Sequence, residues 1–135
     1  MTVIVVDAGI LATALLDDHV PGEAARARLR GSDVCAPELI DLEVLSVIRR
    51  LVAAGDVSAD RAERAVDDLA ALPIRRVAHR PLVDRCWELR HNLTPYDAAY
   101  VALAEALEIT LLTADARLGR SPGPTCTIEL LAAGR

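Results

Sequence analysis

A chain of 135 residues with 53% hydrophobic content can bury one real core and is too short for two ordinary domains. All 15 of its basic residues are arginines, which excludes a P-loop, Schiff-base catalysis and the lysine-assisted phosphoacceptor chemistry of signalling receivers. The net charge is −5, and the 2% aromatic content, with no Phe, disfavours a module that stacks single-stranded bases on aromatic platforms.

The first predicted element is Val3 to Val6, a continuous β-branched run of the kind buried on both faces of a parallel sheet, ending at Asp7. A helix from about Ile10 to Leu16 follows, and Pro21 and Gly22 open a second helix through Leu29. Val34 to Ala36 predicts a second strand, after which Pro37 takes a first helical position before a long apolar helix from Glu38 to Ala54, stopped by Gly55. Ser58 is the expected N-cap of a helix to Leu72, and Pro73 ends it. Ile74 to Val77 reads as a third strand, Pro81 to Arg90 and Thr94 to Leu107 as helices, Ile109 to Thr113 as a fourth strand, and Thr125 to Leu130 as an edge strand. Short apolar strands alternating with helices predict a three-layer α/β/α sandwich around a mainly parallel sheet. No run approaches the ~20 apolar residues of a membrane span, and Cys35, Cys86 and Cys126 lack metal or redox spacing. A soluble cytoplasmic protein with reduced cysteines is the expectation.

In such sheets ligands bind outside the carboxyl ends of the strands, where strand order reverses. Asp7 and Asp115 both follow apolar strands directly, so the two carboxylates meet if the first and fourth strands are neighbours. Each also has a purely local reading, Asp7 as the N-cap of the next helix and Asp115 as a turn residue. Glu43 has Leu39, Ile40, Ser46 and Val47 three and four positions away, so it faces the core and requires a cation or donors there. Alternatively the stripe is rotated, Glu43 pairs with Arg50, and Glu38 or Asp41 substitutes for it. Asp97 sits where a capping-box acid belongs behind Thr94 and Pro95, and the same helix start favours the ionised carboxylate that a metal requires.

Four carboxylates within a few ångströms repel one another and are tolerable only with cations present. Mg²⁺ is a hard ion that takes oxygen ligands, keeps several waters and engages substrate phosphates, which makes such a cluster suited to phosphodiester hydrolysis. Counting Asp7, Glu43, Asp97 and Asp115 as ligands leaves 16 acids against 15 arginines, so the overall acidity does not argue against a nucleic-acid substrate.

Four stretches carry a resemblance to a known family: Val5-Val6-Asp7-Ala8; Ala36-Pro37-Glu38-Leu39 through Glu43 and Arg49; Thr94 through Ala104; and Leu112 through Leu118. In this order they resemble the PIN-domain nucleases, specifically the VapC toxins of bacterial toxin–antitoxin pairs. The resemblance implies a single PIN-like domain over residues 1–135, with the first and fourth strands adjacent. It implies Mg²⁺- or Mn²⁺-dependent endonucleolytic cleavage of RNA, with Asp7, Glu43, Asp97 and Asp115 holding one or two ions and the Thr113 hydroxyl supporting them. It also implies a VapB-like antitoxin and a homodimer. Two positions depart from the pattern: Gly9 replaces a small polar residue, and Arg117 stands where some relatives have a further acid.

A catalytically weak RNA- or protein-binding module is the competing reading, against which the retention of all four acids counts. Candidate phosphate contacts are Arg117 and Arg120, close in sequence to the acids. The clusters Arg26, Arg28 and Arg30, and Arg75, Arg76 and Arg80, are read as solvated surface before any such role.

Overall fold

The computed structural model describes residues 2–132. Five strands, β1 (Thr2–Val6), β2 (Ser32–Pro37), β3 (Arg75–Val77), β4 (Thr110–Thr113) and β5 (Ile128–Leu130), form a sheet in the order β3-β2-β1-β4-β5. Every pairing is parallel, so the expected mainly parallel sheet is parallel throughout. With its helices, this is the α/β/α architecture that the alternation of strands and helices predicts.

The central strands are made of what a doubly covered sheet requires. Ile4, Val5 and Val6 of β1 and Leu111 and Leu112 of β4 are fully buried, and burying each such side chain contributes about 1.5–3 kcal/mol. The helices are α1 (Ala8–Leu16), α2 (Val20–Leu29), α3 (Ile40–Ala53), α4 (Ala59–Ala71), α5 (Val83–Glu88), α6 (Pro95–Leu107) and α7 (Ala116–Arg120). Helix α6 lies against β1, β2 and β4 and is buried continuously from Ala98 to Ala104. Four of those seven residues are alanines, and their small side chains let the helix approach the sheet closely. Among the described residues no helix is long and apolar enough to cross a membrane.

Two expected boundaries are corrected. Pro37 is the last residue of β2, in register with Val77, and not the first residue of a helix. The Glu38 N–H supplies the next ladder bond, to the Val77 carbonyl at 2.8 Å, so the missing proline donor costs nothing there and α3 starts later. The expected helix from Pro81 to Arg90 is split into a 3₁₀ turn, Arg80–Leu82, and α5. Pro81 opens the turn, which closes through the Leu82 N–H on the His79 carbonyl at 2.8 Å.

The β5 side of the sheet is secured by Glu105 of α6. Its side chain is 11% exposed and is gripped by Arg85 at 2.7 Å. The Thr125 N–H adds a bond at 2.7 Å and the Thr125 hydroxyl one at 3.0 Å. Burial alone would raise the Glu105 pKa, but Arg85 and Thr125 hold it below its ordinary value. Replacing Arg85 by Ala leaves this carboxylate with the Thr125 donors alone and no opposite charge, with an expected loss of about 2–3 kcal/mol. Urea unfolding of Arg85→Ala checks this, and a midpoint unchanged from wild type would show that solvent replaces the pair.

Candidate active site

The β1–β4 pairing matches Val6 with Leu112, so the next residues, Asp7 and Thr113, face each other across the sheet's carboxyl edge. The Thr113 hydroxyl donates to Asp7 Oδ2. The Thr113 hydroxyl oxygen in turn accepts the Asp115 N–H at 3.0 Å. Thr113 is fully buried, the one buried polar residue found among those described, and it ties the two acid-bearing strand ends together. The sheet's order reverses between β1 and β4, which is where a ligand crevice forms.

The local and the clustered readings of these acids hold at once. Asp7 caps α1, its Oδ1 accepting the Ile10 N–H at 2.9 Å. Asp115 caps α7, a short helix where only a turn was expected, its Oδ1 accepting the Arg117 N–H at 2.9 Å. Thr94 caps α6 by accepting the Asp97 N–H at 3.2 Å. Glu43 lies in the first turn of α3. All four acids therefore stand at helix N-termini, where the macrodipole favours negative charge by about 0.3–1 kcal/mol each.

All four line one cleft of about 760 Å³, with Tyr96, Tyr100 and Arg50 also in its wall. Helix α3 turns Ile40, Val44 and Ile48 into the core and leaves Glu43 half-buried at the stripe's edge. The Tyr100 hydroxyl, buried with its ring, donates to Glu43 Oε1 at 2.6 Å, and no ion pair joins Glu43 to Arg50 among the described residues. The proposed substitutes are committed elsewhere, Asp41 to Arg76 at 3.0 Å and Glu38 to His79 at 3.6 Å. Tyr100 was missed as a site residue. The available signal was its spacing, three residues after Asp97 and so on the same helical face.

Burial raises the pKa of Asp7, and the charges of Asp97 and Asp115 raise it further, against the lowering effect of the Thr113 and Ile10 bonds. Burial also raises Glu43, with Asp97 and Asp7 adding to it and the Tyr100 bond opposing. Asp97 is raised by burial and then by Asp115, opposed by Thr94 and Arg117. Asp115 alone is held low, by its hydrogen bond from Arg117. Three of the four carboxylates thus resist ionisation, the electrostatic condition a cation relieves.

Among the described residues no three His, Cys, Asp or Glu side chains converge as a ready-made cation cage. The donor set nevertheless fits a hard divalent ion: the cleft offers carboxylates and neither thiolate nor imidazole, and Mg²⁺ needs only one or two carboxylates beside its waters. A Cβ added at Gly9 would lie 3.6 Å from Asp7 Oδ1, so a serine there fits and could donate to Asp7. The glycine leaves that contact empty.

Several arginines have structural work instead. Arg26 binds the Ala14 and Asp17 carbonyls at 3.0 and 2.7 Å. Arg28 grips Glu129 at 2.6 Å, and Arg76 adds the Leu69 and Leu72 carbonyls to its bond with Asp41. Arg30 lines a cleft with Leu11, Leu15, Leu29 and Arg61. Arg75, Arg80 and Arg120 are exposed. The Arg117 side chain is 83% exposed and pairs with Asp115 at 3.3 Å.

Fold and cleft together define a parallel α/β protein with an acidic pocket at its topological switch point. The profile of the PIN domain family matches residues 4–123. Ribonuclease VapC1 of Mycobacterium tuberculosis is 43% identical over 128 residues, covering 94% of this chain and 96% of that protein. Ribonuclease VapC12 of the same organism is 40% identical over 129 residues, covering 96% and 99%. The crystal structure of VapBC2 from Rickettsia felis, bound to a DNA fragment from their promoter, superposes with a TM-score of 0.69 at 13% identity, covering 96% of this chain and 98% of that one. The chain belongs to the PIN domain family, in its VapC branch.

An acid whose folded-state pKa exceeds its unfolded one favours folding below the unfolded value, and that advantage is lost as the pH rises through the folded value. Asp7, Glu43 and Asp97 have this sign, whereas Asp115, Glu105 and Glu129 have the opposite one. Metal-free Asp97→Asn is therefore expected to melt a few degrees above wild type near neutral pH, the gap closing as the pH falls toward the ordinary carboxylate range. A gap independent of pH in calorimetric scans would contradict the repulsion.

Proposed function

We propose that this protein is the toxin of a toxin–antitoxin pair, an endoribonuclease that hydrolyses RNA phosphodiester bonds with Mg²⁺ or Mn²⁺ at Asp7, Glu43, Asp97 and Asp115. The observation that carries this is the single cleft lined by all four carboxylates, three of them held above their ordinary pKa by burial and by one another. The ribonuclease names of relatives at 40–43% identity support it. In this reading residues 1–135 are one nuclease domain.

In hydrolysis a water oxygen bonds to phosphorus as the P–O bond to the leaving ribose oxygen breaks. A bound divalent ion acidifies water and stabilises the charge growing on the phosphoryl oxygens. The chain's part is placement. Thr113 fixes the Asp7 carboxylate, Tyr100 fixes Glu43, and α6 presents Asp97 from its first turn. Preorganised groups of this kind avoid reorganisation during the reaction. Arg117 and Arg120 stand at the same end of β4 for the phosphate backbone.

A VapB-like antitoxin is the proposed partner, supported by the VapC relatives and the VapBC fold neighbour. A homodimer is proposed through the apolar groove of Val83, Trp87, Pro95, Tyr96 and Ala99, which shares Leu39 and Tyr96 with the acidic cleft. Trp87 is 66% and Tyr96 60% exposed, an arrangement that a partner surface relieves. The site of action in this reading is the cytoplasm.

The pairing of Arg117 with Asp115 favours the second reading, a catalytically weak binding module, because it occupies one acid of the four. Incubation with labelled cellular RNA separates the two. Cleavage is expected only with Mg²⁺ or Mn²⁺, and Asp7→Asn and Asp97→Asn, verified as folded, are expected to lose about a hundredfold or more. Undiminished cutting by both variants would remove these acids from the chemistry, and no cutting by wild type would favour the binding module.

A further inference from the structure

Among the described residues Asp115 is the one acid of the cleft with a guanidinium against it. Arg117 Nε lies 3.4 Å from Oδ1 and Nη2 lies 3.3 Å from Oδ2, so both carboxylate oxygens are covered. This partner sits where a further acid stands in some proteins that the sequence resembles. The pair is built to open. The Arg117 side chain is 83% exposed, and ion pairs in water are weak and easily exchanged. The backbone beneath it is fixed by other bonds: the Arg117 N–H stays on Asp115 Oδ1 at 2.9 Å, the Arg117 carbonyl accepts the Ser121 hydroxyl at 2.9 Å, and Leu118 is buried. The arm can leave while α7 stays.

We propose that Arg117 is a displaceable internal counter-ion, closed over Asp115 when the cleft lacks a divalent cation and expelled when one arrives, its guanidinium then free to take a phosphate oxygen of the RNA. The inference rests on the metal-site reading above. Its physical basis is exclusion: a guanidinium and a divalent ion cannot share one carboxylate without repelling each other, and the doubly charged ion makes the stronger claim. Arginine suits the second position as well, because its planar fork matches the geometry of a phosphate. With the arm in place the cleft is less repulsive, at the cost of weaker metal binding. Arg117 thus couples metal occupancy to RNA capture.

The test is calorimetric titration of the metal-stripped full chain with Mn²⁺, using wild type, Arg117→Ala, Arg117→Lys and Arg120→Ala. Arg117→Ala is expected to bind Mn²⁺ about three- to fivefold more tightly, as loss of a competing surface pair requires. Arg117→Lys should remain near wild type, and Arg120→Ala should be unchanged. In stopped-flow anisotropy with a labelled RNA oligonucleotide, read before cleavage in Mn²⁺, Arg117→Ala should bind more weakly, with a salt slope lower by about one. Equal or weaker Mn²⁺ binding by Arg117→Ala, or an equal gain in Arg120→Ala, would overturn the counter-ion role while leaving the metal site standing. An absence of Mn²⁺ binding by wild type would overturn both.

Discussion

The pairing of β1 with β4 is the constraint on which the site depends. It sets Asp7 opposite Thr113, and one buried hydroxyl then serves both strand ends, donating to the Asp7 carboxylate and accepting the Asp115 N–H. Because the side-chain period of a strand is two, a slip of one residue would move the hydroxyl to the opposite face and separate the acids. The fully buried run of Ile4, Val5 and Val6 against Leu111 and Leu112 fixes the register. The core thereby places the acids.

Bringing four carboxylates to one cleft works against folding, and the chain offsets the repulsion in two ways. Each acid stands at a helix N-terminus, whose dipole favours negative charge. Donors meet three of them: the Thr113 hydroxyl and the Ile10 N–H at Asp7, the Tyr100 hydroxyl at Glu43, and Arg117 at Asp115. The remaining strain appears as the raised pKa values of Asp7, Glu43 and Asp97. A protein that keeps such strain at one place has a use for it, since active sites commonly give up stability for chemistry.

Much of this was legible in the sequence, because short β-branched runs and capping residues act locally. Asp7, Asp97 and Asp115 could be placed at element ends from their neighbours alone, and Ser58 and Thr94 cap the helices they were expected to cap. The boundaries that failed depend on partners distant in sequence. Pro37 fits a helix start by its own chemistry, but the Val77 carbonyl of β3 draws the chain on as strand. The Pro81 segment breaks into a tight turn and a short helix through bonds that no periodicity encodes. Glu43 could be put near an apolar stripe, yet its partner, Tyr100, lies 57 residues away on another helix.

The central claim is that these acids form one cation-binding cleft. Anomalous diffraction from crystals grown with Mn²⁺ tests it most directly. An ordered ion is expected in the cleft bounded by Asp7, Glu43, Asp97 and Asp115, with Arg117 turned away from Asp115. Saturating Mn²⁺ that leaves the cleft empty, or binds only elsewhere on the molecule, would contradict it.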